Sequence, residues 1–298
     1  MDKLYSDFFN LALNPFGETP DPSFYFDSKT HNEALNKMTW AVEQGRGFTL
    51  LTGEVGTGKT LISRILLNEI AQTANTALIL YPKLSDVELL GAIAAELEIE
   101  CDATTTKQYL DCLNRFLLQN ASGGKKSVLI IDEAQNLPLE TLETVRLLSN
   151  LETDREKLLQ IVLVAQPELR TELETPKLRQ LRQRICVSLN LDPLSLGETE
   201  RYIKDRLEIA GNGNLVRFDP DAMKLIHQRS GGIPRRINKL CEFILLGAQK
   251  RQARLISLKL TSEIIAGPKD KQSFLSRVMG ISGSPSGRPT DCEEVWDP

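Results

Sequence analysis

The sequence predicts an α/β fold in which a mainly parallel sheet is flanked by helices and a small all-α domain follows it. Two observations carry this prediction. Up to about residue 192, short apolar segments alternate with amphipathic segments of helical period, as in parallel sheets that are covered on both faces. Beyond that point only helical periodicity remains, which indicates a second, helical domain.

The composition is that of a globular protein. The chain has 298 residues, of which 41% are hydrophobic, with 36 Lys and Arg against 40 Asp and Glu. This balance excludes chain-wide disorder, collagen and a membrane bundle, and the length suits about two domains. The net charge of −4 argues against general electrostatic binding to nucleic acid or anionic lipid, although a local basic face stays open.

Shifts in composition divide the chain into four predicted segments. Pro, Asp and Phe are frequent in the first segment, which favours an extended arm with turns. Gly, Pro and Ser supply 13 of the last 32 residues, which favours disorder there. The predicted segments are an arm, an α/β core, a helical domain and a disordered tail, at residues 1–30, 31–192, 193–266 and 267–298.

Hydrophobic periodicity places the strands and helices within these segments. Ala34, Leu35, Met38 and Val42, for example, recur at the three- and four-residue spacing of one helix face. Strands are predicted at 48–52, 77–81, 128–131, 161–165 and 185–189. Core helices are predicted at 31–44, 59–71, 87–97, 107–118 and 139–151. Helices of the second domain are predicted at 196–210, 220–228, 234–251 and 260–266.

The strongest motif is GEVGTGKT, which lies between a predicted strand and a predicted helix and fits the GxxxxGK[ST] phosphate-binding loop. Its glycines let backbone N–H groups wrap a phosphate, and the following helix presents its positive end. Lys59 should reach the β- and γ-phosphates of ATP, and the hydroxyl of Thr60 should bind Mg²⁺. The predicted nucleotide-binding residues of this loop are Gly53, Glu54, Val55, Gly56, Thr57, Gly58, Lys59 and Thr60.

Two acids, Asp132 and Glu133, follow the apolar run VLII. On a buried parallel strand they emerge at the carboxyl edge, where ligands bind in open α/β sheets. Asp132 is therefore a predicted Mg²⁺ ligand, and Glu133 is predicted to polarise the attacking water. The 72 positions from Thr60 to Asp132 leave room for another strand, and a Glu after the Asp favours ATP hydrolysis over a GTPase switch.

Polar residues further along the chain have two interpretations each. Gln166 ends a predicted strand, so it could contact the γ-phosphate or position water, or it could be a capping or surface residue before Pro167. Arg179, Arg182 and Arg184 could form a solvated face. In an oligomeric ATPase, one of them would instead reach the γ-phosphate of a neighbouring subunit, with Arg182 narrowly favoured.

The predicted helical domain contains the sequence GGIPRRIN, in which Pro234 suits the first turn of a helix. Arg235 could reach back to the nucleotide across the cleft between the domains, or it could lie on the surface. Other basic residues could form a contact with DNA or a solvated helical face. They are Arg229, Arg236, Lys239, Lys250, Arg251 and Arg254.

Cysteine usage and hydropathy favour a cytoplasmic protein. The five cysteines form no CxxC pair and the two histidines are far apart, so no zinc site is expected. Cys186 and Cys241 lie in apolar runs and are expected to be small core residues rather than disulfide partners. A reducing cytosol fits this usage, and neither a signal peptide nor a membrane span is expected.

Together these motifs resemble an AAA+ ATPase with the P-loop NTPase fold. More narrowly, they resemble the ExeA or general secretion pathway protein A family, which includes MshM-like pilus biogenesis ATPases. The resemblance covers roughly residues 5–265. Its segments are NPFGETPDPSFYFDSKTHNEAL, GFTLLTGEVGTGKT, VLIIDEAQNL, LVAQPEL, LRQLRQRI and GGIPRRIN. Larger members continue into a membrane helix and a peptidoglycan-binding domain, so the resemblance over this chain implies no cell-wall binding.

The resemblance also implies a role for each motif. The matches are Walker A at Lys59 and Thr60, Walker B at Asp132 and Glu133, sensor one at Gln166, sensor two at Arg235, and the arginine-finger region at Arg179, Arg182 and Arg184. In such a fold the arm passes the adenine, so its aromatic residues and His31 are expected near the base, with packing between the domains as the alternative. These aromatic residues are Phe16, Phe24, Tyr25 and Phe26.

These features imply a cytoplasmic, Mg²⁺-dependent ATPase that forms a nucleotide-dependent homo-oligomer. It would energise assembly of a secretion, pilus or other envelope machine and reach the inner membrane through a partner. The alternative is an ATP-dependent DNA-binding protein that recruits a transposase or recombinase, because ATPases of that kind share these motifs. A third interpretation, a switch that binds ATP and rarely hydrolyses it, is disfavoured by Glu133 and Arg235.

Overall fold

The computed structural model describes residues 4–17, 21–80, 82–211 and 216–266. Five strands form its main sheet: β1 Phe48–Gly53, β2 Ala74–Ile79, β3 Lys126–Ile131, β4 Gln160–Ala165 and β5 Ile185–Leu191. Seven helices surround it: α2 Lys29–Glu43, α3 Lys59–Ile70, α4 Asp86–Glu96, α5 Thr106–Ser122, α6 Leu139–Leu148, α7 Glu168–Leu173 and α8 Arg179–Arg184. An additional helix, α1 Leu4–Phe9, begins the described chain.

The sheet is parallel throughout, with the strand order β2-β3-β4-β1-β5. Leu163 of the central strand β4 pairs with Leu50 of β1 on one side and with Ile131 of β3 on the other. Because parallel strands end at the same edge, the segments after β1, β3 and β4 lie side by side. The predicted parallel α/β sheet flanked by helices is confirmed.

Alternate residues of each central strand face opposite layers of helices. Leu129 and Leu163 belong to the buried cluster that contains the apolar faces of α4 to α8. Val128 and Val164 belong to the cluster on the other side, which contains those of α2 and α3. Burial on both faces explains why these strands are uninterrupted apolar runs in the sequence.

The C-terminal helical region follows the sheet. It contains α9 Leu196–Ile209, α10 Pro220–Ser230, α11 Pro234–Lys250 and α12 Leu258–Ala266. Ser195 and Glu198 form a reciprocal capping box that starts α9. The expectation of helices alone is corrected in one detail, since β6 Arg217–Phe218 and β7 Leu255–Ile256 pair in parallel.

The sequence predicted an extended arm with turns, but the arm also contains helical segments. It starts with α1, and a short 3₁₀ turn at Pro22–Phe24 is capped by the side chain of Asp21. Its apolar residues are buried in the same cluster as the C-terminal helices, because each large ring gains about 2 kcal/mol when it leaves water. These residues are Tyr5, Phe9, Leu11, Phe16, Phe24 and Phe26.

Other differences from the predicted elements have local causes. β2 begins three residues earlier than predicted because Ala74 already pairs with Lys126, and Tyr81 at the predicted strand end lies outside the described residues. Helices α7 and α8 have only six residues each, too few for a readable helical period. The predicted disordered tail, 267–298, also lies outside the described residues.

The cysteines depart from expectation at two places. Cys241 is buried in the C-terminal helical region, as predicted, whereas Cys186 is exposed because it faces outward on the edge strand β5. Cys101, in the loop between α4 and α5, forms a disulfide with Cys112 of α5. The spacing of the cysteines in the sequence did not suggest this pair. Among the described helices, none is both long enough and apolar enough to cross a bilayer.

A close backbone contact joins the segment between β5 and α9 to the start of α11. The Leu194 N–H donates to the Gly232 carbonyl oxygen at 2.9 Å. Gly232 has a φ of +72°, and a Cβ atom there would lie 2.1 Å from the Leu194 carbonyl oxygen. Only glycine therefore fits at this position, which sets the start of α11 against the segment between β5 and α9.

We expect Gly232→Ala to destabilise the C-terminal helical region more than Gly231→Ala does. Gly231 also has a left-handed φ, +62°, but a Cβ there would meet open space. The left-handed backbone costs either variant about 1 kcal/mol, and the clash at residue 232 adds about 1–3 kcal/mol. Urea unfolding followed by circular dichroism measures both losses, and equal losses would contradict the backbone contact.

Candidate functional site

The GEVGTGKT segment connects β1 to α3 at the carboxyl edge of the sheet. Gly56 and Gly58 have φ angles of +86° and +103°, which L-residues rarely adopt. A Cβ on Gly56 would lie 2.5 Å from the Cβ of Arg235. The glycines thus allow both the tight turn and the close approach of α11.

Carbonyl oxygens of the loop accept hydrogen bonds from other elements and from within the loop itself. The backbone N–H of Arg235 donates to the Gly56 oxygen at 3.1 Å, and His31 bonds the Thr57 oxygen through Nε2 at 2.8 Å. The hydroxyl of Thr57 donates to the Glu54 oxygen at 2.9 Å. These bonds fix the loop, and backbone N–H groups of such a loop can then face an anion.

His31 is buried between α2 and the loop. Its Nε2 must carry a proton to donate to the Thr57 oxygen, so Nδ1, 2.6 Å from the Ser28 hydroxyl, is the acceptor. Burial lowers the pKa of His31, against weaker opposing effects of the Thr57 bond and of Glu198. The neutral ring is therefore the form that fits this position.

Lys59 starts α3 with its side chain buried in the loop. Its ammonium donates to the carbonyl oxygens of Gly53 at 2.7 Å and Glu54 at 3.0 Å. Burial lowers the pKa of Lys59, while the nearby carboxylates of Glu133 and Asp132 act in the opposite direction. An anion bound in the loop would offset that desolvation.

Thr60 and Asp132 meet beside the loop. The Thr60 hydroxyl donates to Asp132 Oδ2 at 2.6 Å, and Asp132 Oδ1 accepts from the Glu133 N–H at 2.9 Å. A hydroxyl and a carboxylate are hard oxygen ligands of the kind Mg²⁺ prefers. The described residues contain no cluster of three or more His, Cys, Asp or Glu that could hold a metal alone. A Mg²⁺ that keeps waters and phosphate oxygens fits such a sparse set.

Glu133 has a left-handed backbone, with a φ of +52°, directly after β3. Its Oε2 accepts from Gln135 Nε2 at 2.6 Å and from Gln166 Nε2 at 3.1 Å. The Gln166 N–H in turn donates to Gln135 Oε1 at 3.0 Å. Gln166 therefore turns its amide toward Glu133, and Gln135 is a site residue that the sequence analysis missed.

A cleft of about 290 Å³ opens beside the loop and reaches the C-terminal helical region. Its lining includes most of the predicted phosphate-loop residues, Glu133 and Arg235. It also includes seven residues to which the sequence analysis gave no role in the site, although four of them lie in the quoted motif segments. They are Gly17, Asp21, Leu61, Tyr202, Arg206, Pro234 and Asn238.

Three of these additional residues form a chain of hydrogen bonds. The buried guanidinium of Arg206 donates to the Tyr202 hydroxyl at 2.8 Å, and that hydroxyl donates to Asn238 Oδ1 at 2.9 Å. Arg206 also donates to the Pro15 carbonyl oxygen and lies 4.6 Å from the centre of the Phe24 ring. A buried cation thus links the arm to the C-terminal helices along the wall of the cleft.

The arm aromatics serve packing in this structure. Phe16, Phe24 and Phe26 are buried with the C-terminal helices, and Tyr25 donates to Asn32 Oδ1 at 3.0 Å. None of the four is among the described residues that line the cleft. This arrangement matches the packing alternative, while His31 supports the loop from behind.

The three arginines of the PKLRQLRQRI segment lie apart from the cleft. Arg179 and Arg182 are exposed on α8, where Arg182 pairs with Glu174. Arg184 is half-buried at the end of α8, before the edge strand β5. The cleft lining that the structure describes contains none of them. Within one chain they remain at the surface.

Two sequence comparisons identify relatives. A family model described as "AAA domain" matches residues 42–173. General secretion pathway protein A of Aeromonas hydrophila is 41% identical over 280 residues, which are 93% of this chain and 51% of that protein. The chain therefore spans about half the length of this relative.

Several solved structures are similar at low sequence identity. The ADP form of the Aeropyrum pernix ORC2 protein has a TM-score of 0.63 at 16% identity, covering 84% of this chain and 71% of that one. Cdc6p of Pyrobaculum aerophilum has a TM-score of 0.63 at 18% identity, covering 83% and 69%. The RuvB branch migration motor of Thermotoga maritima has a TM-score of 0.51 at 20% identity, covering 78% and 68%. At these identities the likeness shows the fold alone.

We expect acidification to destabilise the protein through His31. The folded chain holds the pKa of His31 below its ordinary value of 6.5, so the unfolded chain binds the proton more readily. Stability from this residue is complete above about pH 6.5 and is lost as the pH falls toward the lowered value. His31→Gln can keep an N–H donor near the Thr57 oxygen without titrating.

Thermal unfolding of the nucleotide-free protein from pH 7 to pH 5 compares the two chains. Wild type should lose more of its Tm than His31→Gln, and since both share every carboxyl group, the difference isolates His31. Parallel Tm curves would show that the histidine carries no pH-dependent stability.

Proposed function

We propose that this chain, which belongs to the AAA domain family and is related to General secretion pathway protein A, is a Mg²⁺-dependent ATPase. The observation that carries the proposal is the meeting of two motifs: Thr60 of the phosphate loop is hydrogen-bonded to Asp132, and Glu133 follows it at the same edge of the sheet. The working units are a nucleotide-binding core at 31–192 and a helical lid at 193–266.

The phosphate loop binds ATP in this proposal. Its residues 53–60 surround the β- and γ-phosphates, and Lys59 exchanges the loop carbonyl oxygens for phosphate oxygens. Thr60 and Asp132 hold Mg²⁺, whose chemistry is to neutralise the phosphate charge. Arg235 lines the cleft from the lid, and its side chain stabilises charge on the γ-phosphate.

Hydrolysis requires a base and a positioned water. Glu133 accepts the proton of the attacking water, and Gln166, whose amide already contacts that carboxylate, orients the water. The cleft wall and the charged groups supply positioning and charge stabilisation, which account for most of the acceleration in phosphoryl transfer.

The biological setting comes from the relative. General secretion pathway protein A gives the secretion assignment, and we extend it to assembly of a secretion or pilus machine, with the ATPase acting from the cytoplasm as a homo-oligomer. A partner protein of that machine would link it to the membrane. The DNA-recruitment alternative is not favoured, because the 41% identical relative is a secretion protein.

Two substitutions separate binding from hydrolysis. Lys59→Ala should raise the Kd for ATP by about a hundredfold or more, because it removes a charged donor to the phosphates. Glu133→Gln should leave that Kd nearly unchanged and lower kcat by about 10² to 10⁴, because only the base is lost. Titration with a fluorescent ATP analogue and a phosphate-release assay measure the two constants. Equal losses of binding in both variants would refute these roles.

The arginine-finger assignment predicts activity that depends on assembly. Arg182→Ala should retain ATP affinity and lose turnover by about a thousandfold or more, because Arg182 would act on the γ-phosphate of a neighbouring subunit. Gln183→Ala, which changes an exposed side chain of the same helix and no candidate arginine, is the matched control. Specific activity of the wild type should rise with protein concentration.

Mixing the variants tests action between subunits. Lys59→Ala chains should restore activity to Arg182→Ala chains, because they donate the missing arginine. The finger assignment would be refuted if specific activity stays constant from nanomolar to micromolar protein and the mixed variants do not complement each other. The three arginines would then be solvated surface residues.

A further inference from the structure

Gln135 lies in a 3₁₀ turn at Ala134–Asn136, directly after the acidic pair Asp132 and Glu133 that follows β3. Its carboxamide spans two neighbouring strand ends. Nε2 donates to Glu133 Oε2 at 2.6 Å, and Oε1 accepts from the backbone N–H of Gln166 at 3.0 Å. One side chain thus connects the end of β3 to the end of β4.

The chemistry of this bridge requires a primary amide. The backbone N–H of Gln166 is a donor only, so the amide oxygen of Gln135 must face it and the NH₂ group must face Glu133. Both ends are then satisfied. A glutamate at this position would set a second carboxylate against Glu133, and a leucine would fill the space without either bond.

The hydrogen bonds of Gln135 also restrict rotation of the Glu133 side chain. That residue has a left-handed backbone, whose turn is held by the Asn136 N–H donating to the Glu133 carbonyl oxygen at 2.9 Å. Glu133 is half-buried and lines the cleft. Without the two amide donors, its side chain could rotate among several rotamers.

We propose that Gln135 is a positioning residue that fixes the carboxylate of Glu133 toward the cleft and ties it to Gln166. This inference rests on the proposed ATP hydrolysis. Gln135 acts through Glu133, because it is hydrogen-bonded to the carboxylate and is not among the described residues lining the cleft. It therefore serves turnover and leaves nucleotide affinity to the phosphate loop.

The test is a double-mutant cycle between Gln135→Leu and Glu133→Gln in the full chain. Single-turnover phosphate release, with enzyme in excess of ATP at saturating Mg²⁺, gives the rate of the chemical step, and steady-state release over a range of ATP concentrations gives KM. Gln135→Leu should lower this rate about tenfold to a hundredfold with KM within about threefold of wild type, since a misplaced base loses part of its contribution. In the Glu133→Gln background, the same substitution should lower the rate by less than about threefold.

Two further variants keep the cycle interpretable. Gln135→Glu preserves size and shape, so its loss of rate would come from the lost donor and the repulsion between the two carboxylates, even if Gln135→Leu folds poorly. Asn136→Ala changes an exposed side chain of the same turn and should keep the wild-type rate. Thermal unfolding of all variants identifies any that are not folded.

The outcomes separate the inference from the proposed function. Wild-type rates in both Gln135 variants, or the same loss from Gln135→Leu in both backgrounds, would overturn the positioning role while Glu133→Gln remains inactive. Wild-type hydrolysis in Glu133→Gln would instead overturn the proposed role of the base itself.

Discussion

Two consecutive carbonyl groups of the phosphate loop hold the site together. The Gly56 oxygen accepts a hydrogen bond from the backbone N–H of Arg235 in α11, and the Thr57 oxygen accepts one from the side chain of His31 in α2. Because Gly56 has no side chain, the start of α11 can lie directly on the loop. The C-terminal helical region and α2 are thereby both hydrogen-bonded to the loop.

The order of the strands explains why the chemical groups converge. β4 lies between β1, which carries the loop, and β3, which carries the acidic pair. Gln166 at the end of β4 therefore lies between the two motifs and contacts Glu133. Parallel strands place all of these groups at one edge of the sheet, where ligands bind in open α/β folds. Gln135 joins the neighbouring strand ends with a single amide.

The buried guanidinium of Arg206 connects the arm to the C-terminal helices. Desolvating Arg206 is costly unless its donors find acceptors, and the Tyr202 hydroxyl and the Pro15 carbonyl oxygen supply them. The ring of Phe24 covers the guanidinium and adds a cation–π contact. Since Arg206 and Tyr202 also line the cleft, the packing of the arm shapes one wall of the cleft.

The sequence by itself determined the parallel α/β core, most of its elements and the two motifs to which the proposed chemistry is assigned. Strand and helix periods and the spacing of glycine, lysine and acid are local properties, so Lys59 and Glu133 could be found without coordinates. Only the tertiary structure decided what surrounds them. Gln135, Arg206 and Asn238 belong to the site because strand order and helix packing bring distant segments together, and the motif segments that contain Gln135 and Asn238 do not show which residues these side chains contact.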